Sequence, residues 1–520
     1  MFAHALQTAA RAARHHLLAA GLAASLLAAP AFATWSIILV DLNTGEVAIG
    51  NATCITNFDL EKACPVVVVG KGGACAQSLV DNGATARVRI WNGFRNEKPL
   101  PAILADIQGI VSAFQFRQYG MVCLYGGGDQ LTFTGTACGQ WAGGAVGQIG
   151  SIRYAIQGNV LTGAPVVQVA EQAVLNTPGS LADKVMAAMQ AAKSMGGDGR
   201  CSCSTSAPTS CGAPPPSFTK SAHVGYMIVA RIGDVDGSVC NGTLGCATGQ
   251  YYMNLNVIGG AASPDPVDTL TTQYAAFKAG WIGHGDHILT EKSFDKVGLP
   301  ADGASIATLT LTLKDIAGTA LATGGATVTV AHAPGSAGSS TFGAPIDLGN
   351  GQYKIPVTAG LTPGMDKLRV VINDGKGNVT LYPYPALPIG AACSPFGVGT
   401  PGTASLVPRL DCSAAPLVGS AEFGFTVADF APTTTVALFA SAAQAAIPFG
   451  TTGLLLADPN LPFWVSNTFA TDAAGAGQLP VPLPSDPTLS GLKCYVQGFG
   501  LDAGAELGAS ATQGVVVEFL

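Results

Sequence analysis

The chain has 520 residues, of which 48% are hydrophobic and 11% charged, and its formal net charge is −7. Such a composition excludes a largely disordered chain, because disorder requires few apolar residues. The acidic balance and the lack of a Lys/Arg cluster argue against nucleic acid as a partner. A chain of this length predicts roughly two to four domains.

The first 33 residues predict an export signal. Arg11 and Arg14 precede the apolar run LLAAGLAASLLAAP, and Ala31-Phe32-Ala33 has small residues where signal peptidase cleaves. The run is short for a membrane span, although an uncleaved anchor is the alternative. We therefore expect cleavage after Ala33. The product would be exported (periplasmic, cell-surface or extracellular) and would have no membrane span.

Residues 34–275 predict an α+β domain. TWSIILV and EVAIGNA form a hairpin around DLNTG, and PVVVVG, GMVCLYG, QLTFTG and IRYAIQG are further strands. Helices are predicted for PAILADIQGIVSAF, for residues 165–176 and for LADKVMAAMQAAKSM, in which Ser180 and Asp183 form a capping box. Two strands, HVGYMIVARI and YYMNLNVIG, and the helix PVDTLTTQYAAFKAGW complete the domain.

The remainder of the chain predicts two all-β sandwich domains. After a linker over residues 276–298, alternating strands separated by Gly and Pro turns occupy residues 299–390. Residues 393–520 repeat that character, for example in TTVALFASA and GLKCYVQGFGLD.

The chain contains 13 cysteines, which in an exported protein predict disulfides. The odd count leaves at least one free thiol or an intermolecular bond, and the connectivity stays open. CSCSTSAPTSC fits no zinc spacing, so we expect no metal and no cofactor. Neighbouring cysteines that could pair are Cys54/Cys64, Cys123/Cys138 and Cys240/Cys246.

Several blocks in the first domain resemble a bacterial family known as domain of unknown function 1028. They are TWSIILVDLNTGEVAIGNAT, GKGGACAQS, TGTACGQWAGG, YAIQGNVLTG and MGGDGR, followed by YMNLNV and PDPV. The resemblance covers about residues 34–275 and implies a four-layer αββα fold of the N-terminal-nucleophile hydrolase type. Members of this family without a signal begin Met-Thr. Signal cleavage after Ala33 would therefore expose the matching residue, Thr34.

The hairpin places polar residues around Thr34. If Val40 faces Val47, then Ser36 faces Asn51 and Thr34 faces Thr53, all on one face of the sheet. A hairpin that only built core would have no need of polar groups at its open end. A register slip would move Asn51 or Thr53 to the other face.

These residues predict a catalytic set of Thr34, Asn159, Thr53 and Asn51. A threonine hydroxyl needs an adjacent base, and a free α-amine with a pKa of about 7.7–8.0 can serve as one. Backbone N–H groups, and the Asn159 amide, would stabilise the oxyanion.

The matched blocks also supply candidate substrate-binding residues. The alternatives for them are structural: Gln157 and Asn159 in a capped turn, Asp198 and Arg200 as a solvated ion pair, and Trp141 in the core. The substrate-binding candidates are Gln77, Gln157, Asp198, Arg200 and Trp141.

Two functions follow as alternatives. The first is an exported hydrolase that uses Thr34 to cleave an amide-type bond in a small amide or peptide-like substrate. The second is a non-catalytic surface or secreted protein that binds a cell-envelope component through an inactive hydrolase fold and Ig-like modules. Residues 299–390 resemble invasin-type bacterial Ig-like domains through ADGASIATLTLTLKDIAG, and residues 393–520 resemble a recurrent C-terminal β-module of exported proteins. Oligomerisation is left open.

Overall fold

The computed structural model describes residues 34–451 and 453–520. The predicted export signal over residues 1–33 lies outside this part of the chain. The protein divides into two compact units, the first ending at Gly280 and the second beginning at Trp281.

The first unit is a mixed helix and strand domain. Its strands are β1 Thr34–Asp41, β2 Val47–Thr53, β3 Pro65–Val68, β4 Gly72–Ser78, β5 Arg117–Cys123, β6 Asp129–Thr134, β7 Ala142–Ile149, β8 Ile152–Asn159, β9 Val224–Ala230 and β10 Met253–Val257. Its helices are α1 Leu60–Ala63, α2 Thr85–Arg95, α3 Leu100–Ile110, α4 Pro165–Asn176, α5 Leu181–Ser194, α6 Gly199–Ser202 and α7 Pro266–Ala279.

These strands form two antiparallel sheets. The larger sheet has the order β10-β9-β2-β1-β8-β7, and the smaller has the order β3-β4-β5-β6. β1 is central in the larger sheet, hydrogen-bonded to β2 on one side and to β8 on the other. Both of its faces are covered, which explains why TWSIILV reads as a nearly continuous apolar run rather than as an alternating one.

Three apolar clusters define how these sheets and helices pack. One face of β1 supplies Trp35, Ile37 and Leu39 to a cluster with α4, α5 and α7. Its other face supplies Ile38 and Val40 to a cluster with β3, β4 and β5 of the smaller sheet. The far side of the smaller sheet packs against α2 and α3. The two sheets therefore face each other, with helices outside each.

Most predicted elements of the first unit are confirmed. Ser180 accepts from the Asp183 backbone N–H and the Asp183 side chain accepts from Ser180, so α5 begins with the predicted capping box. It ends before Gly196 and Gly197, whose φ values of 98° and 57° suit glycine.

Five elements were not predicted: the short helices α1 and α6, the strand β4, and the longer elements α2 and β7. The carboxylate of Asp81 accepts from three successive backbone N–H groups at the start of α2 and so caps the helix. Because Asp81 lies several residues before the helix begins, the sequence does not mark it as the capping residue. β7 contains AGGAVGQI, whose glycines weaken any strand signal.

The structure corrects the cysteine pairing. Of the three pairs considered from the sequence, Cys240–Cys246 forms a disulfide, whereas Cys54/Cys64 and Cys123/Cys138 do not. Cys54 instead bonds Cys201, 147 positions away, which proximity in sequence could not indicate. The remaining disulfides are Cys203–Cys211 and Cys393–Cys412, and the free cysteines, all buried, are Cys64, Cys75, Cys123, Cys138 and Cys494.

The second unit consists of β-sheets. Its first strands are β11 Glu291–Phe294, β12 Ile306–Thr312, β13 Thr327–His332, β14 Thr341–Phe342, β15 Ile346–Asp347, β16 Gln352–Thr358, β17 Gly364–Asn373, β18 Val379–Thr380 and β19 Ala386–Ile389. β11, β12, β14, β15 and β16 form one sheet, and β13, β17, β18 and β19 form the other. A shared cluster that includes Leu309, Ile355 and Val370 fills the space between them.

The start of the second unit differs from the prediction. β11 pairs with β12 from Glu291 to Phe294, within the segment 276–298 that was expected to be a linker. The sequence EKSF is too short and polar to signal a strand by itself.

The last part of the chain contains the strands that follow β19. They are β20 Ala392–Phe396, β21 Arg409–Cys412, β22 Gly424–Ala428, β23 Thr435–Ser441, β24 Gln444–Phe449, β25 Gly453–Ala457, β26 Pro462–Val465, β27 Phe469–Ala470, β28 Gly477–Pro480, β29 Lys493–Leu501, β30 Ala509–Ala511 and β31 Gly514–Glu518. The path β20-β31-β29-β23-β26 forms the main sheet, which faces the sheet β21-β22-β28 across an apolar cluster. The Cys393–Cys412 disulfide joins β20 to β21 and so links these two sheets.

Candidate active site

Thr34 is the first residue of the central strand of the larger sheet. Only 3% of its surface is exposed, and it lies directly opposite Asn159 on β8. On the other side, the predicted hairpin register is confirmed from Trp35–Ala52 to Val40–Val47. Thr34 is therefore held by a strand that is itself paired on both edges.

The polar end of the hairpin faces the smaller sheet. Ser36 lies opposite Asn51, and the apolar residues that continue this face contribute to the cluster between the sheets. The Asn51 amide Nδ2 lies 3.0 Å from the Cys64 sulfur and 3.7 Å from the Cys75 sulfur. Asn51 thus points between the sheets, towards Cys75 of the smaller sheet and towards Cys64, which also lines the cavity beside Thr34.

A chain of side-chain amides connects Thr34 to the smaller sheet. Gln77 Nε2 donates to the Thr34 carbonyl oxygen at 3.1 Å and to Gln118 Oε1 at 2.7 Å. Gln118 Nε2 in turn contacts Thr134 Oγ1 at 2.9 Å and the carbonyl oxygens of Gly143 and Gly158. Because an ordered chain of buried amides fixes the groups at both ends, the position of Thr34 is tied to the smaller sheet.

Asn159 and Ser78 form a second polar contact beside Thr34. Asn159 Nδ2 donates to Ser78 Oγ at 3.1 Å and to the Cys138 carbonyl oxygen at 3.3 Å. Ser78 is buried at the end of β4 and has φ = 75°, a conformation that costs energy for a residue with a Cβ. Such strained positions cluster at functional sites.

A small cavity lies next to Thr34. Its volume is about 10 Å³, room for about one water. Apolar side chains line most of it, while Thr34, Gln77 and Ser78 supply polar groups. Gln77 Oε1 is buried and has no hydrogen-bond partner in the described part of the chain. A buried acceptor without a partner is a natural position for a donor on a bound molecule. The apolar lining residues are Ile55, Phe58, Leu60, Ala63, Ala76 and Val80.

Cys64 also lines this cavity but is a poor nucleophile. Burial raises the pKa of the Cys64 thiol well above its usual value, so the thiol stays neutral at physiological pH. The thiolate is the reactive form of cysteine. Of the hydroxyl and thiol groups at the cavity, those of Thr34 and Ser78 therefore remain as candidate nucleophiles.

Thr53, Asp198 and Arg200 form a separate cluster at the end of β2. Arg200 Nη2 donates to Thr53 Oγ1 at 3.3 Å and to Asp198 Oδ2 at 2.8 Å. Asp198 is fully buried, and its carboxylate also accepts from the Cys54 backbone N–H at 2.7 Å and from the Arg200 backbone and Nε. The pair is not solvated, contrary to the simpler alternative from sequence. Because the carboxylate is saturated with donors, it positions its neighbours.

The two remaining predicted residues lie away from the cavity. Gln157 Oε1 accepts from Thr132 Oγ1 at 2.8 Å, between the sheets. Trp141 is half-buried, packs against the helix-side cluster and has φ = 28°. Sequence reasoning missed Ser78 and Gln118. The block GKGGACAQS ends at Ser78 and could have indicated it, whereas nothing in RQYGMVC singles out Gln118.

The described residues contain one group with the composition of a metal site, Cys54, Cys201 and His223. Both sulfurs are already bonded to each other in the Cys54–Cys201 disulfide. CSCSTSAPTSC likewise contributes cysteines to disulfides. None of the helices in the described part of the chain has the length and apolarity needed to cross a membrane.

The fold and site define a protein with a mixed helix and strand domain followed by β-sandwich sheets. Four disulfides join described residues, a feature typical of exported proteins. Residues 34–209 match the model described as "Family of unknown function (DUF1028)", and residues 290–382 match that of "Invasin, domain 3". The resemblances stated for the first domain and for residues 299–390 are thereby confirmed, and the one stated for residues 393–520 stays a prediction.

Similar solved structures come from both kinds of domain. Protein SPO2555 from Silicibacter pomeroyi, assigned to the same family of unknown function, is 16% identical, with 47% of this chain and 88% of that chain covered and a TM-score of 0.32. Adhesin InvE of Yersinia pseudotuberculosis is 18% identical, with 44% and 58% covered and a TM-score of 0.16.

Invasin, described as a bacterial integrin-binding protein, is 9% identical, with 92% of this chain covered and a TM-score of 0.16. The chain spans 58% of the length of InvE and 59% of that of invasin. A comparison with curated protein sequences finds no match.

Proposed function

We propose that the protein is an exported hydrolase that uses Thr34 as an N-terminal nucleophile to cleave an amide-type bond. The observation that carries this proposal is the position of Thr34, buried at the end of a central strand, beside a cavity and between the amides of Gln77 and Asn159. The facing sheets with helices outside each support a four-layer αββα arrangement of the N-terminal-nucleophile type.

The chemistry requires a free α-amine on Thr34. Cleavage after Ala33 would provide it, and the neutral amine would accept the proton of Thr34 Oγ1 as that oxygen attacks the substrate carbonyl carbon. The protonated amine would then protonate the leaving nitrogen. Water would release the acyl group from the resulting ester and restore the hydroxyl.

Neighbouring groups have distinct roles in this scheme. Asn159 Nδ2 donates to Ser78 Oγ and to the Cys138 carbonyl oxygen, and one of these N–H groups would turn from Ser78 to the oxyanion. Loss of one such donor costs about 3 kcal/mol of barrier stabilisation. Gln77 fixes the Thr34 carbonyl oxygen and offers Oε1 to a substrate N–H. Asp198 and Arg200 hold the end of β2, where Thr53 lies, and act as positioning residues. Thr53 and Asn51 extend the polar face on which Thr34 is expected to lie.

The first test determines whether the α-amine exists. Protein recovered from the exported fraction should have Thr34 as its first residue, by N-terminal sequencing and intact mass. A β-lactone probe that acylates N-terminal threonine should then label one site per chain. A start at another residue, or a blocked amine, would remove the base from the mechanism and overturn it.

Matched variants then test the nucleophile. Thr34→Ala should abolish labelling and amide hydrolysis, while Thr34→Ser should retain both. Thr243→Ala, in an exposed loop of the same unit, is the control and should behave as the wild type. Equal labelling of Thr34→Ala and the wild type would contradict the proposal.

A second candidate function is non-catalytic binding of a cell-envelope component. The match of residues 290–382 to the invasin domain 3 model favours it, because invasin is described as integrin-binding and intimin is described in complex with the translocated intimin receptor. Under this function, purified protein would bind cell envelopes equally well with and without Thr34→Ala, and no preparation would hydrolyse amides. The two functions therefore differ in the effect of a single substitution.

A further inference from the structure

An apolar cavity opens between the two sheets of the C-terminal sandwich. It has a volume of about 700 Å³ and extends into the core. Residues of β22, β23, β26 and β29 line it, together with the segments that follow β28 and β31. This volume lies within the range of about 300–1,000 Å³ typical of small-molecule sites.

The lining is almost entirely hydrocarbon. Its aromatic residues are Phe423, Phe425, Phe463, Trp464 and Phe519. Among the lining residues only Lys493 is charged, and it already pairs with Glu518. A peptide would bring amide groups that need hydrogen-bond partners at every residue, and this lining provides few. A ligand without internal polar groups fits better.

The mouth of the cavity exposes apolar surface to water. Phe463 is 60% exposed and Leu492 is 52% exposed, and Trp464 beside them is half-buried. Protein interiors contain few voids larger than a water molecule. A hydrocarbon that enters an open apolar cavity of this size displaces water from its walls, and the apolar surface that is buried stabilises the complex.

We infer that this cavity binds one unbranched alkyl chain, such as that of a free medium-chain fatty acid. The chain would lie between the sheets against the aromatic rings, and its polar end would remain in solvent at the mouth. This inference does not depend on Thr34 or on any hydrolytic activity.

The first experiment measures how affinity depends on chain length. Octanoate, decanoate and dodecanoate would be titrated into the full-length protein below their micelle concentrations, with calorimetric detection. Each buried methylene contributes about 0.8 kcal/mol, or about a fourfold change in Kd, so two more carbons should strengthen binding about fifteenfold. No saturable binding, or equal affinities for the three acids, would overturn the inference.

A pair of tryptophan substitutions locates the site. Ala442 lines the cavity, and Ala442→Trp should weaken decanoate binding at least tenfold by filling it. Ala446→Trp, on an exposed position of β24, should leave the Kd unchanged. Equal losses in both variants would indicate non-specific binding and contradict the assignment.

Fluorescence gives a test that needs no cavity-filling variant. A bromine-substituted alkanoate should quench Trp464 in the wild type on binding, and Trp464→Phe should lose that part of the quenching while still binding decanoate. Quenching unchanged in Trp464→Phe would place the ligand elsewhere. Binding to neutral phosphatidylcholine vesicles without binding of free alkanoates would assign the cavity to a membrane and overturn the small-ligand inference.

Discussion

The Asp198–Arg200 pair predicts a large loss of stability on a small chemical change. Asp198→Asn preserves the shape of the side chain but removes its charge. The Asp198 side chain is fully buried and that of Arg200 is 16% exposed. Removing one partner of a buried pair costs about 3–5 kcal/mol because the other charge is left unpaired. Asparagine keeps one acceptor oxygen for the Cys54 backbone N–H, so we expect the lower limit, about 3 kcal/mol.

Urea unfolding of the disulfide-intact protein at pH 7 measures this loss. With a dependence on urea of roughly 2 kcal/mol per molar, the midpoint of the first unit should fall by about 1.5 M. Asp268→Asn is the matched control, since Asp268 pairs with Lys193 but its side chain is 62% exposed. An exposed pair contributes at most about 1 kcal/mol. A midpoint for Asp198→Asn that equals that of the control would refute the positioning role of this carboxylate.

Three further predictions follow from the cysteines and from Lys292. Unfolding without reductant should expose five reactive thiols, and a count other than five would contradict the disulfide pattern. In the native state none should react with a thiol reagent within minutes, because all five are buried and burial raises the pKa of Cys494 to about 12. Cys412→Ser should destabilise the C-terminal sandwich by about 3 kcal/mol, since the disulfide it removes spans 19 residues, and an unchanged thermal transition would argue against that bond. Burial lowers the pKa of Lys292 to about 8, below its value in the unfolded state. Because the unfolded state therefore binds more protons between about pH 8 and 10.5, the free energy of unfolding should rise across that window by at most about 3 kcal/mol. Lys292→Met should abolish this rise, and an unchanged pH dependence in the variant would assign it to other groups.

The sequence was most informative where local geometry decides the outcome. The register of the β1–β2 hairpin follows from a short turn and alternating polarity, and both can be read from adjacent residues. The capping box of α5 is equally local. The polar environment of Thr34 could therefore be predicted in part from the sequence alone.

The rest depends on contacts between distant segments. Gln118 reaches Gln77 across a pair of strands, and Cys54 meets Cys201 only because α6 packs at the end of β2. The sequence alone favoured a solvated position for Asp198, because one of its partners is the backbone N–H of Cys54, which is 144 positions away in the chain. Neither composition nor periodicity carries information of this kind, since each contact joins segments that are far apart in the sequence.

The central position of β1 also determines which part of the site can move. The backbone N–H groups of β1 bond to neighbouring strands on both edges, and the strand lies between two apolar clusters. Their amide hydrogens should therefore exchange with solvent only when the whole unit unfolds. Thr34 is thus an immobile point. Any adjustment of shape on binding must come from the connection between β2 and α1, where Ile55 and Phe58 line the cavity and no regular strand pairing restrains them. Changes in that connection would alter the shape of the cavity while leaving Thr34 in place.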